Sequence, residues 1–600
     1  MIRVESLRYS YPPTPPDRAR RVVLDGLSFA VEVGRCLAVT GANGCGKSTL
    51  CLAVAGLAPR LTGGRLDGHI SVAGRDVQRQ PTGTLADVIG LVMQDPAGQL
   101  FNSTIEDEVA WGLENLGLPP AEMPERIERA LALAGLTHVP RTQPPQTLSG
   151  GEQKRLALAS ALALAPRVLI LDEPAGGLAP AARAEMVAVL KRLRAEESLT
   201  ILLAENDPQV IAALADEVIL LADGRIAQRG APRAFYAALH RCAFPGVAVP
   251  PAIVFAQAVA GAGGPTSSPL TAAEAAEQLR GFDRPPDLSP NGRRGSSHRP
   301  ASEGSAIKLE GVAFAYDPSR PVLRDLSLAI PRGQFVALVG DNGAGKTTLA
   351  RHLIGLLRPA RGTVRVLGED AAGLSIGQLA RRVGFAFQNP ELQIFSPTVR
   401  EEVAFGPRNL GLSGPALDAA VKAALDRFAL RPLADHPPAA LTFSARRMVA
   451  LASIAAMNTP ILVLDEPTVG LDAAHTARVM DWLGERRAAG TTVLLITHDM
   501  DLAARADRAL VMLGGRIAAD GPPPDVFFQV ATLREAGLEP PFAVQLALEV
   551  GYPALAADLT PQGAARAWVE AARWKRVESS ASRQTLVAPT PGGIDDQDQR

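Results

Sequence analysis

The sequence predicts an α/β protein made of two copies of one domain, each with a mostly parallel sheet at its core. Three observations point there. Residues 1–240 and 307–530 share a series of phrases at a nearly constant offset of roughly 290 to 300 residues, as a duplicated unit would. Within each copy, short apolar β-rich runs alternate with amphipathic helical stretches, as in CLAVTG before STLCLAVAGL and LALASALALA before RVLILDEP. Each copy also places a glycine-rich loop between such a run and the helix after it.

At 600 residues the chain is too long for one hydrophobic core. The expected organisation is a large domain over 1–240, a small helical appendage over 241–282, a flexible linker over 283–304, a second large domain over 305–530, a second appendage over 531–578 and a disordered tail over 579–600. The linker is rich in Pro, Gly, Ser and Arg and lacks the apolar content to order itself. The appendages rest on an echo between GVAVPPAIVFAQAVAGAG and GLEPPFAVQLALEVGYP.

Charge excludes more than it suggests. With 61 Lys+Arg against 62 Asp+Glu, the net charge of −1 gives no global attraction to nucleic acid or an anionic membrane. The four cysteines, Cys36, Cys45, Cys51 and Cys242, lack paired metal-ligand spacing and suit a reducing cytosol; Cys45, inside a glycine-rich loop, reads as a small filler. The opening MIRVESLRYSYPP lacks the pattern of a signal peptide, and no uninterrupted apolar run reaches the roughly 18 residues of a spanning helix. The expectation is a chain that does not cross a membrane by itself.

The two glycine-rich loops, GANGCGKST (Gly41 to Thr49) and GDNGAGKTT (Gly340 to Thr348), both fit G-x-x-x-x-G-K-[ST]. Backbone N–H groups around Gly41, Asn43, Gly44, Gly46 and Thr49, and around Gly340, Asn342, Gly343, Gly345 and Thr348, are expected to wrap the phosphates of ATP at a helix N-terminus. Lys47 and Lys346 would reach the β- and γ-phosphates, and Ser48 and Thr347 would ligate Mg²⁺. Downstream, RVLILDEP and PILVLDEP place Asp172 with Glu173, and Asp465 with Glu466, at the end of an apolar strand. Each aspartate would hold Mg²⁺, and each glutamate would orient or deprotonate the attacking water.

In the first copy, LSGGEQKR (Leu148 to Arg155) resembles the signature of ATP-binding-cassette (ABC) ATPases. The resemblance covers nearly all of both copies and implies two P-loop NTPase domains, each with a helical signature subdomain, that pair head to tail within the molecule. It also implies that Ser149, Gly150 and Gly151 contact nucleotide, that Tyr11 and Tyr316 stack on adenine, that Gln94 and Gln388 link Mg²⁺ to a membrane partner, and that His498 is the switch histidine. The phrases QDPAGQLFNSTIEDEVAWGLENLGL and QNPELQIFSPTVREEVAFGPRNLGL look like the ATPase pair of energy-coupling-factor importers of vitamins or of cobalt and nickel. That likeness implies a transmembrane coupling protein and a substrate-binding membrane protein on other chains, and a place on the cytoplasmic face of the cell membrane.

The copies differ where the family pattern is strict. LTFSA (Leu441 to Ala445) stands at the second signature position; Asn206 replaces the counterpart of His498, and Ala179 the counterpart of Asp472. Crosswise pairing leaves Lys47, Ser48, Asp172, Glu173 and Asn206 with the altered signature, and Lys346, Thr347, Asp465, Glu466 and His498 with the intact one. The first pocket is expected to hydrolyse ATP poorly and the second to carry nearly all turnover. Two other functions fit a cassette protein. A ribosome or nucleic-acid role is disfavoured because only about a hundred residues separate Lys47 from Ser149, without heptads, and because the linker is not a charged helix. A fused sugar-importer ATPase is disfavoured by the phrases after Gln94 and Gln388.

Overall fold

The computed structural model describes residues 1–13, 19–95, 98–242, 244–262, 266–280 and 302–571. The expected tail and most of the expected linker lie outside the described residues. The last linker positions, 302–304, instead open the long strand Ser302–Asp317.

Each large domain holds two sheets. In the first, a six-stranded sheet is centred on Cys36–Thr40, with Thr200–Ala204 and Glu217–Ala222 parallel on either side of it. Val168–Asp172 and Ile89–Val92 extend it in parallel, and Arg225–Gly230 closes the other edge antiparallel. Cys36–Thr40, Val168–Asp172 and Thr200–Ala204 are buried along their whole length, as parallel strands covered on both faces must be. The second domain repeats this order around Phe335–Val339. The centre of each sheet thereby delivers its carboxyl end to a glycine-rich loop, the position where open α/β sheets bind ligands.

The other sheet in each domain is antiparallel and four-stranded, built in the first from Ile2–Tyr11, Arg21–Val31, Arg65–Val72 and Arg75–Asp76. It adds to the mostly parallel core an element that the alternation of strand and helix does not announce. A three-helix subdomain completes each half: Ile105–Asn115, Met123–Leu133 and Gly150–Ala163 in the first, Val399–Asn409, Gly414–Arg427 and Phe443–Met457 in the second.

The described chain forms two compact units. One holds both large domains and continues through residue 541, so 531–541 sit with the second large domain. The other joins the two stretches that the sequence presents as separate appendages. In it Pro251–Ala260, Ala272–Leu279 and Phe542–Val550 bury apolar faces, with the Phe255 and Phe542 rings 6.0 Å apart. No described helix is long and apolar enough to cross a membrane.

In the second half, Phe428 and Trp482 meet edge to face at 5.4 Å, both buried, and tie the helical subdomain to Ala473–Ala488. Trp482→Ala is expected to cost about 3–5 kcal/mol, seen as a lower denaturation midpoint of the full chain, with Trp482→Phe losing less than half of that.

Candidate functional site

Both glycine-rich loops leave the central strand through a turn that tolerates no side chain. A Cβ at Gly41 would lie 2.3 Å from the Leu221 carbonyl oxygen, and one at Gly340 would lie 2.3 Å from that of Met512. Gly46 and Gly345 then open the helices Lys47–Val54 and Lys346–Leu353. Lys47 Nζ folds back to donate to Gly41 O at 2.8 Å and Ala42 O at 3.3 Å; Lys346 Nζ donates to Gly340 O at 2.8 Å and Asp341 O at 2.9 Å. Asn43, Gly44, Asn342 and Gly343 form the accessible rims of the two loops.

Beside the lysines stand hydroxyl and carboxylate oxygens. Ser48 hydrogen-bonds Asp172, and Thr347 Oγ1 donates to Asp465 Oδ2 at 2.7 Å. Burial raises both aspartates above the usual carboxylate range, against the pull of these hydroxyls and of the lysines. Hard oxygens of this kind fit Mg²⁺. Tyr11 OH lies 3.1 Å from Thr49 Oγ1 and Tyr316 OH 3.4 Å from Thr348 Oγ1, so both aromatic side chains sit over the first turn of the loop helix.

Glu173 and Glu466 share an unusual backbone. Each has a left-handed φ, +49° and +48°, and donates its N–H to the end of the neighbouring strand, to Ala204 O at 2.8 Å and Ile496 O at 3.0 Å. A buried cation holds each carbonyl: Lys154 Nζ donates to Glu173 O and Arg447 Nη1 to Glu466 O, both at 2.8 Å. Burial lowers Lys154, and it pushes Arg447 down to about 10. Sequence reasoning passed over this pair; their aligned places in EQKR and ARRM were the available signal.

The side chains then diverge. Glu173 Oε2 accepts from Gln94 Nε2 at 2.6 Å and Oε1 from Asn206 Nδ2 at 3.0 Å, so both oxygens are capped by amides. Burial raises Glu173, with Lys47 opposing and Asp172 adding to the shift. Next to it Glu205, whose counterpart is Thr497, is pushed up to about 8 by burial and by the charges of Glu173 and Asp207. In the second half, His498 Nδ1 meets Glu466 Oε1 at 2.9 Å, and Glu466 Oε2 has no hydrogen-bond partner among the described residues. Burial alone would lower His498, but the Glu466 charge and hydrogen bond outweigh it and hold the imidazole above its usual range. Gln388 is not brought to Glu466 as Gln94 is to Glu173; its backbone carbonyl instead accepts from Arg447.

The halves meet at the first loop. Asn43 N–H donates to Asp472 Oδ2 and Asn43 Nδ2 to Gly470 O, each at 2.8 Å. A Cβ at Gly470 would lie 2.8 Å from the Phe443 ring and 3.8 Å from Gln94 Nε2. The altered signature, the second-half loop 468–472 and the first phosphate loop therefore share one pocket. Phe443 also lies under the Arg447 guanidinium, 5.2 Å from its centroid. At the other pocket, no hydrogen bond among the described residues joins Ser149, Gly150 or Gly151 to residues 340–348. Ser149 caps its own helix in a reciprocal bond with Glu152. Cys45 stays a free thiol that burial raises.

Beyond the pockets, each half exposes an aromatic pair: Phe101 with Trp111, 61% and 47% exposed, and Phe395 with Phe405, 65% and 44% exposed. Buried Glu108 and Glu402 fix the loops beneath. Glu108 accepts from Phe101 N at 3.0 Å and Asn102 N at 2.8 Å, Glu402 from Phe395 N at 3.1 Å and Ser396 N at 2.9 Å.

The profile of the ABC transporter family matches residues 24–176 and 323–469. A candidate ABC transporter ATP-binding protein of Methanosarcina mazei is 35% identical over 92% of this chain and 94% of its own length. A candidate HMP/thiamine import ATP-binding protein of Bacillus subtilis is 33% identical over 88% and 93%. A solved structure described as CbiO1 of Clostridium perfringens, part of the ABC transporter complex CbiONQ, shares 32% identity over 39% of this chain and 94% of that one, at a TM-score of 0.35. Two matched segments, one in each half, and full-length relatives of the same kind place this chain in the ABC transporter family, as a tandem ATP-binding-cassette ATPase that serves as an ATP-binding subunit.

Proposed function

We propose that the chain is the energy-coupling subunit of an ABC importer of the energy-coupling-factor class, taking up a vitamin or a cobalt or nickel ion, with one pocket that turns over ATP and one that mainly holds it. The observation that carries the asymmetry is the contrast between the carboxylates. Glu466 pairs with an imidazole and has one oxygen without a partner among the described residues, while Glu173 has both oxygens occupied by amides. A carboxylate with an unclaimed oxygen can accept a proton from water, and one whose two oxygens each accept from an amide is a weaker base, because each of those hydrogen bonds stabilises its ionised form.

The roles follow from placement. The loop N–H groups from Gly41 to Thr49 and from Gly340 to Thr348 cradle phosphates; Lys47 and Lys346 leave their loop carbonyls for the β- and γ-oxygens; Tyr11 and Tyr316 flank the base. Ser48 and Asp172 in one pocket, and Thr347 and Asp465 in the other, would hold Mg²⁺, which would supply positive charge against that of the phosphates, with Gln94 and Gln388 as further candidate ligands. At Glu466 the carboxylate orients and deprotonates the attacking water, and His498 fixes its rotamer. Ser149, Gly150 and Gly151 complete the second pocket when the halves close. ATP drives that closure by binding the closed arrangement more tightly than the open one.

The importer reading draws on the likeness to the Bacillus HMP/thiamine protein and on the paired aromatic patches. One rigidly held aromatic pair per half suits two helices of a transmembrane coupling protein on another chain, which associates in turn with a substrate-binding membrane protein at the cytoplasmic face. Nucleic acid is not an expected partner.

Two measurements test this. Glu466→Gln is expected to reduce steady-state ATPase activity at least about 100-fold, and Glu173→Gln less than about threefold; equal losses would refute the asymmetry. Phe101→Ala with Phe395→Ala is expected to abolish co-purification with the native membrane partner while ATP binding persists; undiminished co-purification would refute that docking site.

A further inference from the structure

The loop carboxylates are arranged differently in the two halves, and the difference is compensated. In the first loop the Asn43 N–H is held in trans by Asp472 of the other half, at 2.8 Å. The counterpart of Asp472 is Ala179, which has no side-chain acceptor to offer the second loop. Yet the Asn342 N–H, the counterpart of that of Asn43, is held: Asp341 Oδ1 accepts it at 2.7 Å, from the neighbouring residue of the same loop. At the position of Asp341 the first loop has Ala42. Where one loop has alanine with a carboxylate across the interface, the other has aspartate, with alanine at the position equivalent to that carboxylate.

Two glycines show that both carboxylates occupy the same place. Gly246 follows the first large domain, and a Cβ there would come 3.1 Å from Asp472 Oδ2 and 2.8 Å from the Ala42 Cβ. Gly537 follows the second, and a Cβ there would come 3.1 Å from Asp341 Oδ2 and 2.9 Å from its Cγ. Each carboxylate thus sits between an asparagine N–H of the phosphate loop and a glycine in the segment after the domain. Asp472 is locked further by the His475 N–H at 2.8 Å and its ring at 2.7 Å. Asp341 is exposed on its loop, and its own carbonyl accepts from Lys346.

We propose that Asp341 is a positioning residue that presets the second phosphate loop in cis, in place of the trans carboxylate lost at Ala179. The second loop then holds its phosphate-binding shape whether or not the halves are closed, whereas the first is shaped by the approach of Asp472. The pocket assigned to turnover would bind ATP before closure, and the holding pocket would tighten with it. This rests on the reading that the second loop binds ATP for turnover.

The test is steady-state ATP hydrolysis by the full chain with Mg²⁺. Asp341→Ala is expected to raise KM for ATP about three- to tenfold with kcat within twofold, since a lost hydrogen bond to a charged acceptor loosens the loop without touching the reacting atoms. Asp341→Asn, whose amide oxygen can still accept, should stay within twofold of wild type. Ala179→Asp added to Asp341→Ala should bring KM back, because aspartate at that helix N-cap would again reach across as Asp472 does. An unchanged KM in Asp341→Ala, or a raised KM that Ala179→Asp leaves raised, would overturn the proposal. Absence of ATP hydrolysis by the wild-type chain would instead refute the turnover reading on which it rests.

Discussion

Everything in the two large domains is arranged so that a bare backbone can turn at the carboxyl end of a central strand. Gly41 and Gly340 each pack their α-carbon against the carbonyl of an adjacent strand, where a methyl group would stand 2.3 Å from oxygen. That contact fixes where the loop begins, the helix after it fixes where it ends, and Lys47 or Lys346 spans the gap by binding the loop's own carbonyls. The strands carrying Asp172 and Asp465 lie two places away in the same sheet, close enough for their carboxylates to meet the first hydroxyl of the loop helix. Sheet order thus delivers the pocket, and the helical subdomains and paired appendages are additions to it.

On this common frame the halves diverge through a few polar contacts. The strained glutamate backbone is the same to within a degree, and in both halves a buried cation holds its carbonyl. Retaining that strain in both copies keeps the two carboxylates in equivalent places, so the difference in chemistry falls on their partners: amides at Glu173, an imidazole at Glu466. At a buried carboxylate such a change matters more than it would in water, because buried charge is governed by its immediate neighbours.

Much of this was legible in the sequence because it is local. The glycine loops, the Asp-Glu pairs and the duplication are contiguous phrases, and the apolar runs 168–171 and 461–464, each ending at an aspartate, mark buried interior strands directly. The antiparallel sheet was not legible. Ile2–Tyr11 breaks its alternation at a bulge, where Ser6 takes φ +47° and the register with Arg21–Val31 shifts, so no clean period of two survives. Contacts between Asn43 and Asp472, or between Phe255 and Phe542, join residues hundreds of positions apart and leave no trace in spacing. Lys154 and Arg447 look like solvated signature-helix cations until burial shows them holding a carbonyl.

The central claim is that two unlike ATP pockets operate within one chain. A rapid-quench experiment on the full chain, loaded with radiolabelled ATP at both pockets and started with Mg²⁺, tests it most directly. The account predicts that about half of the bound ATP is hydrolysed in a fast phase while the remainder stays as ATP for many turnovers. Conversion of all the bound ATP in a single phase would contradict it.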